Sequence, residues 1–351
     1  MKQKDVFMKV EMLDKKNFEL YENFLSLNEG ATLYYSIKYK CFLERILNCS
    51  SEYYVAWKDN KICGILPLMY KKGNYGKVYN TLPFYGSNGG VLASCKEAYK
   101  VLINKFEELV ASPGVASSNY IENPLFESEL KTDLLSDEVD CRIGQFTPLE
   151  KKLGVSESID DFLMKSFHTK TRNMIRKALK CDIEVEVNNN EIGFVNKVHV
   201  DNMTEIGGKP KSNLFFNEIE TFFEEGKDYK IYIAKKEGKK IAALLLFYYN
   251  KTVEYFTPVI ESEYRSLQPM SVLIYQAMID ASIKGFKYWN WGGTWKSQEG
   301  VFRFKNRWNT KNIEYKYYIR INNKKIYQSS KSELLSEYPD FFVLPFDKLN
   351  N

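Results

Sequence analysis

The stretch Tyr229-Lys-Ile-Tyr-Ile-Ala-Lys-Lys-Glu-Gly-Lys-Lys-Ile-Ala-Ala-Leu-Leu-Leu-Phe-Tyr248 has the pattern of a β-hairpin. Its two halves are rich in β-branched, aromatic and other apolar residues, and they flank a polar segment over 236–239. The Glu-Gly pair in that segment tolerates the unusual φ angles of tight turns. The stretch therefore predicts two antiparallel strands joined by a short turn.

A second stretch, nearer the start of the chain, has the same pattern. It reads Tyr53-Tyr-Val-Ala-Trp-Lys-Asp-Asn-Lys-Ile-Cys-Gly-Ile-Leu-Pro-Leu-Met-Tyr70, with the polar turn at Asp-Asn. Each hairpin is followed by segments that also correspond. After the first we expect a strand over 77–83, a helix over 96–110 and a strand over 118–122; after the second, a strand over 252–259, a helix over 269–284 and a strand over 286–291.

Two such units in one chain predict a duplicated α/β (α+β) architecture, in which each lobe has a mixed, mainly antiparallel sheet flanked by helices. The pattern breaks between residues 147 and 158, at Pro148, Gly154 and Ser156. We therefore place the lobes at residues 1–150 and 151–325, with a C-terminal tail, 326–351, packing on them. A length of 351 residues fits two domains. The alternative is that hairpins recur by chance.

Charge and cysteine content narrow the classes of function. The net charge of +5 suits an anionic small molecule as well as a nucleic acid and decides neither. The six cysteines form no CxxC pair, and only His168 and His199 could join them as ligands, so we expect reduced thiols and no metal site. Residues 1–14 lack the apolar core of a signal peptide, and the longest apolar run, 241–249, is too short to span a bilayer. We expect a cytoplasmic protein without membrane insertion.

Three short segments resemble one family. They are Leu82-Pro-Phe-Tyr-Gly-Ser-Asn-Gly-Gly90, the basic segment Lys170-Thr-Arg-Asn-Met-Ile-Arg-Lys-Ala178, and an ending that runs from Gly285 through Trp291-Gly-Gly293 to Gly300-Val-Phe-Arg-Phe-Lys305. Their order and spacing, together with the repeated hairpin, strand, helix and strand, resemble the FemAB-like branch of the GNAT superfamily. The resemblance covers roughly residues 30–320.

The resemblance implies tandem GNAT-like lobes and the activity of an N-acyltransferase. Fem-type relatives transfer amino acids from aminoacyl-tRNA, or simpler acyl groups, onto amines of cell-wall or surface-glycan precursors. It implies no tightly bound cofactor, with acyl-CoA or aminoacyl-tRNA as co-substrate. Two features depart from the pattern: Arg265-Ser-Leu-Gln-Pro-Met-Ser271 replaces the usual glycine-rich pyrophosphate loop, and no long heptad arm interrupts the second lobe. The first departure argues against ordinary coenzyme A binding.

A basic helix is expected between Phe162 and Cys181, a segment without acidic residues. Arg172, Arg176 and Lys180 are spaced i, i+4, i+8 and so form one stripe. Arginine suits bidentate phosphate contacts, so the stripe is a candidate site for a diphosphate or a tRNA backbone. The alternative is a solvated face paired with acids such as Glu184 and Glu186.

The candidate catalytic residue is Lys305, which the resemblance places near the reacting centre. An amine that attacks an ester or thioester creates an oxyanion, which a fixed ammonium can stabilise. The basic neighbours of Lys305 make phosphate binding an equal alternative. The Gly292-Gly293 pair follows an aromatic strand and is a candidate for close ligand approach, with a plain turn as the alternative. The remaining candidate substrate-binding residues are Tyr255, Gln268, Trp295 and Phe304.

A general base is not distinguished by the sequence. Asp201, Glu205 and Glu254 are candidates, and His168 and His199 have no evident nucleophile beside them. The function we expect is acyl or aminoacyl transfer to an amine of a nucleotide sugar, a glycan or a cell-wall precursor, with tRNA as a further candidate partner. The alternative is a non-catalytic RNA- or glycan-binding protein on a GNAT-like scaffold.

Overall fold

The computed structural model describes residues 8–126, 134–151 and 157–349, and the chain divides into two units. The first unit comprises residues 1–143 and 313–351, and the second comprises residues 144–312. Residues 313–325, which the sequence assigned to the second lobe, thus belong with the tail to the first unit. Both divisions fall inside continuous strands: one lies between Ile143 and Gly144, and the other lies between Asn312 and Ile313. Gly154 and Ser156 lie outside the described residues.

The elements are numbered along the chain. The strands are β1 (Lys9–Met12), β2 (Ser50–Ser51), β3 (Tyr54–Lys58), β4 (Lys61–Leu66), β5 (Met69–Gly73), β6 (Gly76–Asn80), β7 (Leu92–Ala93), β8 (Val115–Ile121), β9 (Glu138–Pro148), β10 (Glu184–Val187), β11 (Tyr229–Lys236), β12 (Lys239–Tyr249), β13 (Thr252–Ile260), β14 (Tyr288–Trp295) and β15 (Lys311–Ile321). The helices are α1 (Phe18–Ser26), α2 (Ile37–Leu47), α3 (Lys96–Val110), α4 (Ile159–Ser166), α5 (Thr169–Leu179), α6 (Ile192–Glu205), α7 (Asn213–Asn217), α8 (Ile219–Phe222), α9 (Pro269–Ile283), α10 (Glu299–Asn306) and α11 (Lys331–Glu337).

In the second unit, the strands follow one another in the order β10-β11-β12-β13-β14-β9. The strands β10 to β13 are antiparallel neighbours, whereas β13 and β14 are parallel and are connected through α9. The helix α9 packs on the sheet together with α4 and α5. This face buries the aromatic core residues Trp289, Trp291 and Trp308.

In the first unit, the strands form two groups, β1-β3-β4-β7 and β15-β8-β6-β5-β2. The parallel pair here is β6 and β8, connected through α3. The fold class and the predicted repeat of hairpin, strand, helix and strand are thus confirmed in both units. One difference separates them: β12 is continuous, whereas its counterpart is broken at Pro67 into β4 and β5, which pair in different groups. Proline lacks the N–H that a continuous ladder requires.

Both hairpin turns have the backbone that their sequences predict. Asp59 and Asn60 in the first turn have φ of 50° and 60°, and Glu237 and Gly238 in the second have φ of 52° and 74°. Two successive residues with positive φ match the right-handed twist of the flanking strands. The turn residues therefore fix the register of each hairpin.

Two predicted segments differ from the structure. The expected basic helix over 162–181 is two helices, because Phe167 and His168 have extended backbone between α4 and α5. The Gly292-Gly293 pair does not end its strand; β14 continues through both glycines to Trp295. The strand can continue because Gly292 accepts a φ of 76°, which bends the chain without ending it.

Among the helices of the described residues, none is long and apolar enough to cross a bilayer. All six cysteines are free thiols.

The end of α9 provides a test of the fold. Gly285 has a φ of 81° with open space where a Cβ would lie, so Gly285→Ala should lower the free energy of unfolding by roughly 1 kcal/mol through backbone strain alone. The matched control is Gly300, which also has open space but lies in α10; Gly300→Ala should raise the stability by roughly 0.5–1 kcal/mol. Urea unfolding followed by tryptophan fluorescence measures both. Equal stability of Gly285→Ala and the wild type would contradict the left-handed helix end.

Candidate active site

The two parallel strands of the second unit separate part-way along their length. Within the described chain, β13 pairs with β14 only at Thr252↔Tyr288, Val253↔Trp289 and Glu254↔Asn290, although both strands continue beyond these residues. Directly after Glu254, β13 also has a bulge where it pairs with β12. Leu246 pairs with Tyr255 but Leu245 pairs with Thr257, which leaves Phe256 as the extra residue. A bulge bends a strand and increases its twist. The carboxyl ends of β13 and β14 therefore leave an opening between them.

Glu254 lies where the strands begin to separate, and it is only 1% exposed. Its Oε2 accepts a hydrogen bond from Asn290 Nδ2 (2.7 Å), and its Oε1 accepts one from Thr252 Oγ1 (3.3 Å). Asn290 Oδ1 in turn accepts a hydrogen bond from the Gly292 N–H at 2.8 Å. Burial and this network distinguish Glu254 from Asp201 and Glu205. Because both carboxylate oxygens are engaged within the protein, its evident role is to hold Asn290 and the bend at Gly292.

Lys305 lies on α10 with its ammonium against the end of β14. Its Nζ donates to Thr294 Oγ1 at 2.8 Å and to the Gly293 carbonyl at 3.4 Å. The Thr294 hydroxyl donates to Gln145 Oε1 at 2.9 Å, and Gln145 Nε2 donates to the carbonyl of Phe302 on the same helix at 3.3 Å. This closed chain of hydrogen bonds fixes the position of the lysine side chain.

The ammonium of Lys305 is buried without an opposite charge. The residue is 8% exposed, and burial lowers the pKa of its amine from 10.5 to about 8. Among the described residues, it has no carboxylate within ion-pair distance. An ammonium has three N–H donors, and the protein accepts two of them. Lys305 therefore keeps one donor and an uncompensated positive charge, which suit an anionic or carbonyl oxygen of a ligand.

An aromatic layer lies beneath this end of the sheet. Tyr255 packs against Trp291 with ring centroids 4.8 Å apart, and Phe304 meets the other side of the layer at 5.9 Å from Trp291. The Trp291 indole donates to Thr147 Oγ1 at 2.9 Å. Tyr255 and Phe304 therefore both pack against Trp291, which precedes Gly292 in β14, and Phe304 precedes Lys305 in α10. Trp295 ends β14 half-buried, and its carbonyl accepts a hydrogen bond from the Gln298 N–H at 3.0 Å.

A buried hydroxyl beside the bulge lacks a hydrogen-bond partner. Thr257 is 1% exposed, and its Oγ1 has no partner within the described residues. Buried polar atoms are nearly always hydrogen-bonded to protein, water or a ligand. Thr257 is also the residue at which the register of β13 shifts. The Thr257 hydroxyl thus has hydrogen-bonding capacity for a water or a ligand.

The two arginines of the basic stripe lie on α5, whose first turn is hydrogen-bonded to the Arg307 carbonyl through the Thr171 hydroxyl at 3.2 Å. The guanidinium of Arg172 donates to Thr169 Oγ1 at 3.0 Å and to the Lys165 carbonyl at 3.3 Å, whereas Arg176 is exposed. The acid proposed as an alternative partner, Glu186, pairs with Lys235 at 2.7 Å. The stripe is thus a surface feature, and its role as a phosphate site stays a prediction.

The first turn of α9 is closed. Gln268 adopts a left-handed φ of 63° before the helix, its Nε2 donates to the Arg265 carbonyl at 3.2 Å, and Pro269, Met270 and Ser271 are buried. The Arg265 guanidinium makes two hydrogen bonds to Glu205, at 2.9 and 2.6 Å. The Arg265–Ser271 segment therefore does not present the exposed helix start at which an anion binds most readily.

Lys211 was not singled out by the sequence. It precedes α7, and its Nζ lies 5.5 Å from the ring centroid of Phe256, the bulge residue, and 5.8 Å from that of Phe215. Burial lowers the pKa of Lys211 to about 8. Its backbone N–H donates to His199 Nε2 at 3.0 Å, and burial lowers the pKa of His199 to about 4, so this histidine is a neutral structural acceptor. His168 is likewise structural, because it caps α5. No local motif marks Lys211; only the position of Phe256 brings it to the site.

The burial of Lys305 predicts a pH-dependent stability. A pKa lowered from 10.5 to about 8 means that the buried charge costs the fold about 3 kcal/mol below pH 8, and this cost disappears as the pH rises from 8 towards 10.5. Lys305→Met should therefore raise the free energy of unfolding at pH 7, and its advantage over the wild type should shrink by pH 10. Urea unfolding at both pH values measures the difference. Lys311→Met, at an exposed position, should change little; a wild type more stable than Lys305→Met at pH 7 would contradict the unpaired charge.

Residues 165–306 match the family model of the acetyltransferase (GNAT) domain. This match lies within the second unit and includes every candidate residue named from the sequence. Acyl transfer is therefore the general activity that the second unit supports. No curated protein matches the sequence at a significant level.

Solved structures share the fold over nearly the whole chain. A structure of FemX is 17% identical in sequence, and the match covers 91% of this chain and 99% of the FemX chain with a TM-score of 0.68. A tandem GNAT protein from the clavulanic acid biosynthesis pathway is 10% identical, and the match covers 90% of this chain and 98% of that protein with a TM-score of 0.53. L-PGS from Bacillus licheniformis is 12% identical, and the match covers 89% of this chain and 93% of L-PGS with a TM-score of 0.51. Residues 165–306 thus match the GNAT domain model, and the chain shares the fold of FemX and of the tandem GNAT protein.

Proposed function

We propose that the second unit transfers an acyl or aminoacyl group onto an amine of a nucleotide sugar, a glycan or a cell-wall precursor. The observation that carries this proposal is Lys305: a buried ammonium, hydrogen-bonded to Thr294 and Gly293 and without a carboxylate partner in the described structure. Such a group suits a charge that develops during the reaction. It lies on α10, against the end of β14 and within the GNAT domain.

The chemistry is a substitution at an acyl carbonyl. The nitrogen of the acceptor amine attacks the carbonyl carbon, a C–N bond forms, and the carbonyl oxygen becomes an oxyanion that Lys305 Nζ stabilises. The intermediate collapses as the bond to the leaving sulfur or oxygen breaks. The leaving group takes up the proton that the nitrogen loses, so the step balances without a protein base. Glu254 contributes by positioning, since it holds the bend of β14 through Asn290.

Of the two donor classes, the structure of α9 favours aminoacyl-tRNA over acyl-CoA. The first turn of α9 is buried, and Arg265 forms an ion pair with Glu205. Neither is therefore an evident binding site for the pyrophosphate of coenzyme A. The exposed basic surface of α5, with Arg176 and Lys180, suits a nucleic-acid backbone. On the acceptor side, Lys211 beside Phe256 is the candidate contact for an anionic group such as a diphosphate.

Replacement of Lys305 tests the chemistry. Lys305→Met should lower the turnover number by about 100-fold or more, because one fixed donor to the oxyanion is lost. In the wild type, turnover should also fall above pH 8 as Lys305 loses its proton, and Lys305→Arg should move this fall to higher pH. Mass spectrometry of an amino-sugar nucleotide acceptor with charged tRNA or acyl-CoA donors measures both.

The control for this experiment is Lys311→Met, which removes an exposed charge near the same helix and should leave turnover unchanged. Unchanged turnover and pH profile in folded Lys305→Met would remove Lys305 from the mechanism. If no donor yields a product but the protein binds RNA or glycan, the result would favour the alternative of a non-catalytic binding protein.

Salt dependence tests the donor. With charged tRNA, the logarithm of kcat/KM should fall steeply with the logarithm of salt concentration, because phosphate contacts release counterions. The double variant Arg172→Ala/Arg176→Ala should make this slope shallower by about 2, roughly one for each lost contact. Lys100→Ala, an exposed charge on α3 of the first unit, serves as the control. A shallow slope in the wild type, with efficient use of acyl-CoA, would overturn the tRNA assignment.

A further inference from the structure

A pocket of about 380 Å³ lies in the first unit, in the size range of small-molecule sites. It forms where the parallel strands β6 and β8 begin, at Gly76 and Lys77 of β6 and Val115 of β8. In the second unit, the candidate active site lies at the opposite end of the corresponding strands, beyond Glu254 and Asn290. The pocket therefore does not correspond to the candidate active site of the second unit.

Charged side chains of both signs line one side of this pocket. Glu52 and Lys77 are 3.8 Å apart, and Lys77 Nζ also lies 4.4 Å from the ring centroid of Tyr70. The Tyr79 hydroxyl donates to Glu52 Oε1 at 3.1 Å and accepts a hydrogen bond from Lys77 Nζ at 3.3 Å. Lys72, which is exposed, adds a second ammonium to the lining.

This cluster has capacity for a ligand. The Glu52–Lys77 separation exceeds hydrogen-bond length, and Lys77 Nζ donates to one hydroxyl, so donors of its ammonium remain for an anion. The carboxylate of Glu52 is held by Tyr79 and by the Tyr54 hydroxyl (3.3 Å), and a carboxylate has about four acceptor sites. The cluster can therefore bind an anionic group and a hydroxyl at the same time.

Much of the remaining lining of the pocket is apolar. Leu109, Pro113 and Val115 line it, and Gly114 has a φ of 83° with open space where a Cβ would lie. An apolar wall that faces a few convergent polar groups is typical of sites for small organic ligands. Such a wall suits the C–H face of a sugar ring better than a bare inorganic ion.

We propose that this pocket binds an anionic sugar, either a sugar phosphate or a sugar acid. The phosphate or carboxylate contacts Lys72 and Lys77, a ring hydroxyl donates to Glu52, and the C–H face lies on Leu109 and Val115. The first unit then contributes a carbohydrate site of its own. This assignment does not depend on the chemistry proposed for the second unit.

Isothermal titration calorimetry on the full chain tests the proposal, with glucose 6-phosphate, glucuronate, neutral glucose, alanine and inorganic phosphate as probes. We expect glucose 6-phosphate, glucuronate or both to bind more tightly than glucose and inorganic phosphate. The one of these two sugars that binds with the higher affinity shows whether the pocket prefers a phosphate or a carboxylate. The variants Lys77→Met and Lys72→Met should each weaken that binding by about tenfold, the loss of one charge-assisted contact. Glu52→Gln should weaken sugar binding but strengthen binding of inorganic phosphate.

Two control variants show whether the binding occurs at this pocket. Lys61→Met removes an exposed charge from the same unit, and Lys305→Met alters the second unit; neither should change the affinity. Lys72 is exposed, so its replacement keeps the test valid even where Lys77→Met fails to fold. The proposal is overturned by absence of sugar binding, by equal affinity for glucose or inorganic phosphate, by preferential binding of alanine, or by unchanged affinity in Lys72→Met.

Discussion

The separation of β13 from β14 is the constraint on which the rest of the second unit depends. Parallel strands joined through a helix would pair along their full length if both were regular. Here the extra residue Phe256 bends one strand and the positive φ of Gly292 bends the other. Because backbone groups buried without partners are costly, such a separation persists only where the surroundings or a ligand satisfy them. The network of Glu254, Asn290 and Gly292 stabilises the point at which the strands part.

The burial of the Lys305 ammonium has a cost in stability. An ammonium buried without a carboxylate destabilises the native state, and a methionine of similar length would fit the same space more favourably. The protein instead holds the charge in place through Thr294 and Gln145, which are themselves buried. A charge fixed before the reaction needs no reorganisation when an oxyanion forms. Stability and the proposed activity thus make opposite demands on this position.

The two units show how a shared architecture can diverge. At the last residues of the parallel ladders, the second unit pairs Glu254 with Asn290, and the first pairs Asn80 with Asn119. In the first unit the Asn80 amide is satisfied by the backbone of Phe342: its Nδ2 donates to the carbonyl (2.9 Å), and its Oδ1 accepts from the N–H (2.8 Å). The C-terminal segment thereby occupies the strand ends in the first unit. The pocket at the opposite ends of β6 and β8 remains available for a ligand.

The sequence by itself determined the repeated units, the bounds of α3 and α9, and the two hairpin turns, because hydrophobic period and turn residues act over a few neighbouring positions. It also named Lys305, Phe304 and the glycine pair through a family resemblance. Only the tertiary structure decided that the strand after the second hairpin bulges at Phe256, that Lys211 approaches that bulge, and that Glu254 is buried. These features depend on register and on contacts between residues far apart in the chain, which local patterns do not encode. The same reason explains why residues 313–325 belong to the first unit: strand pairing, not local composition, assigns β15 to its neighbour β8.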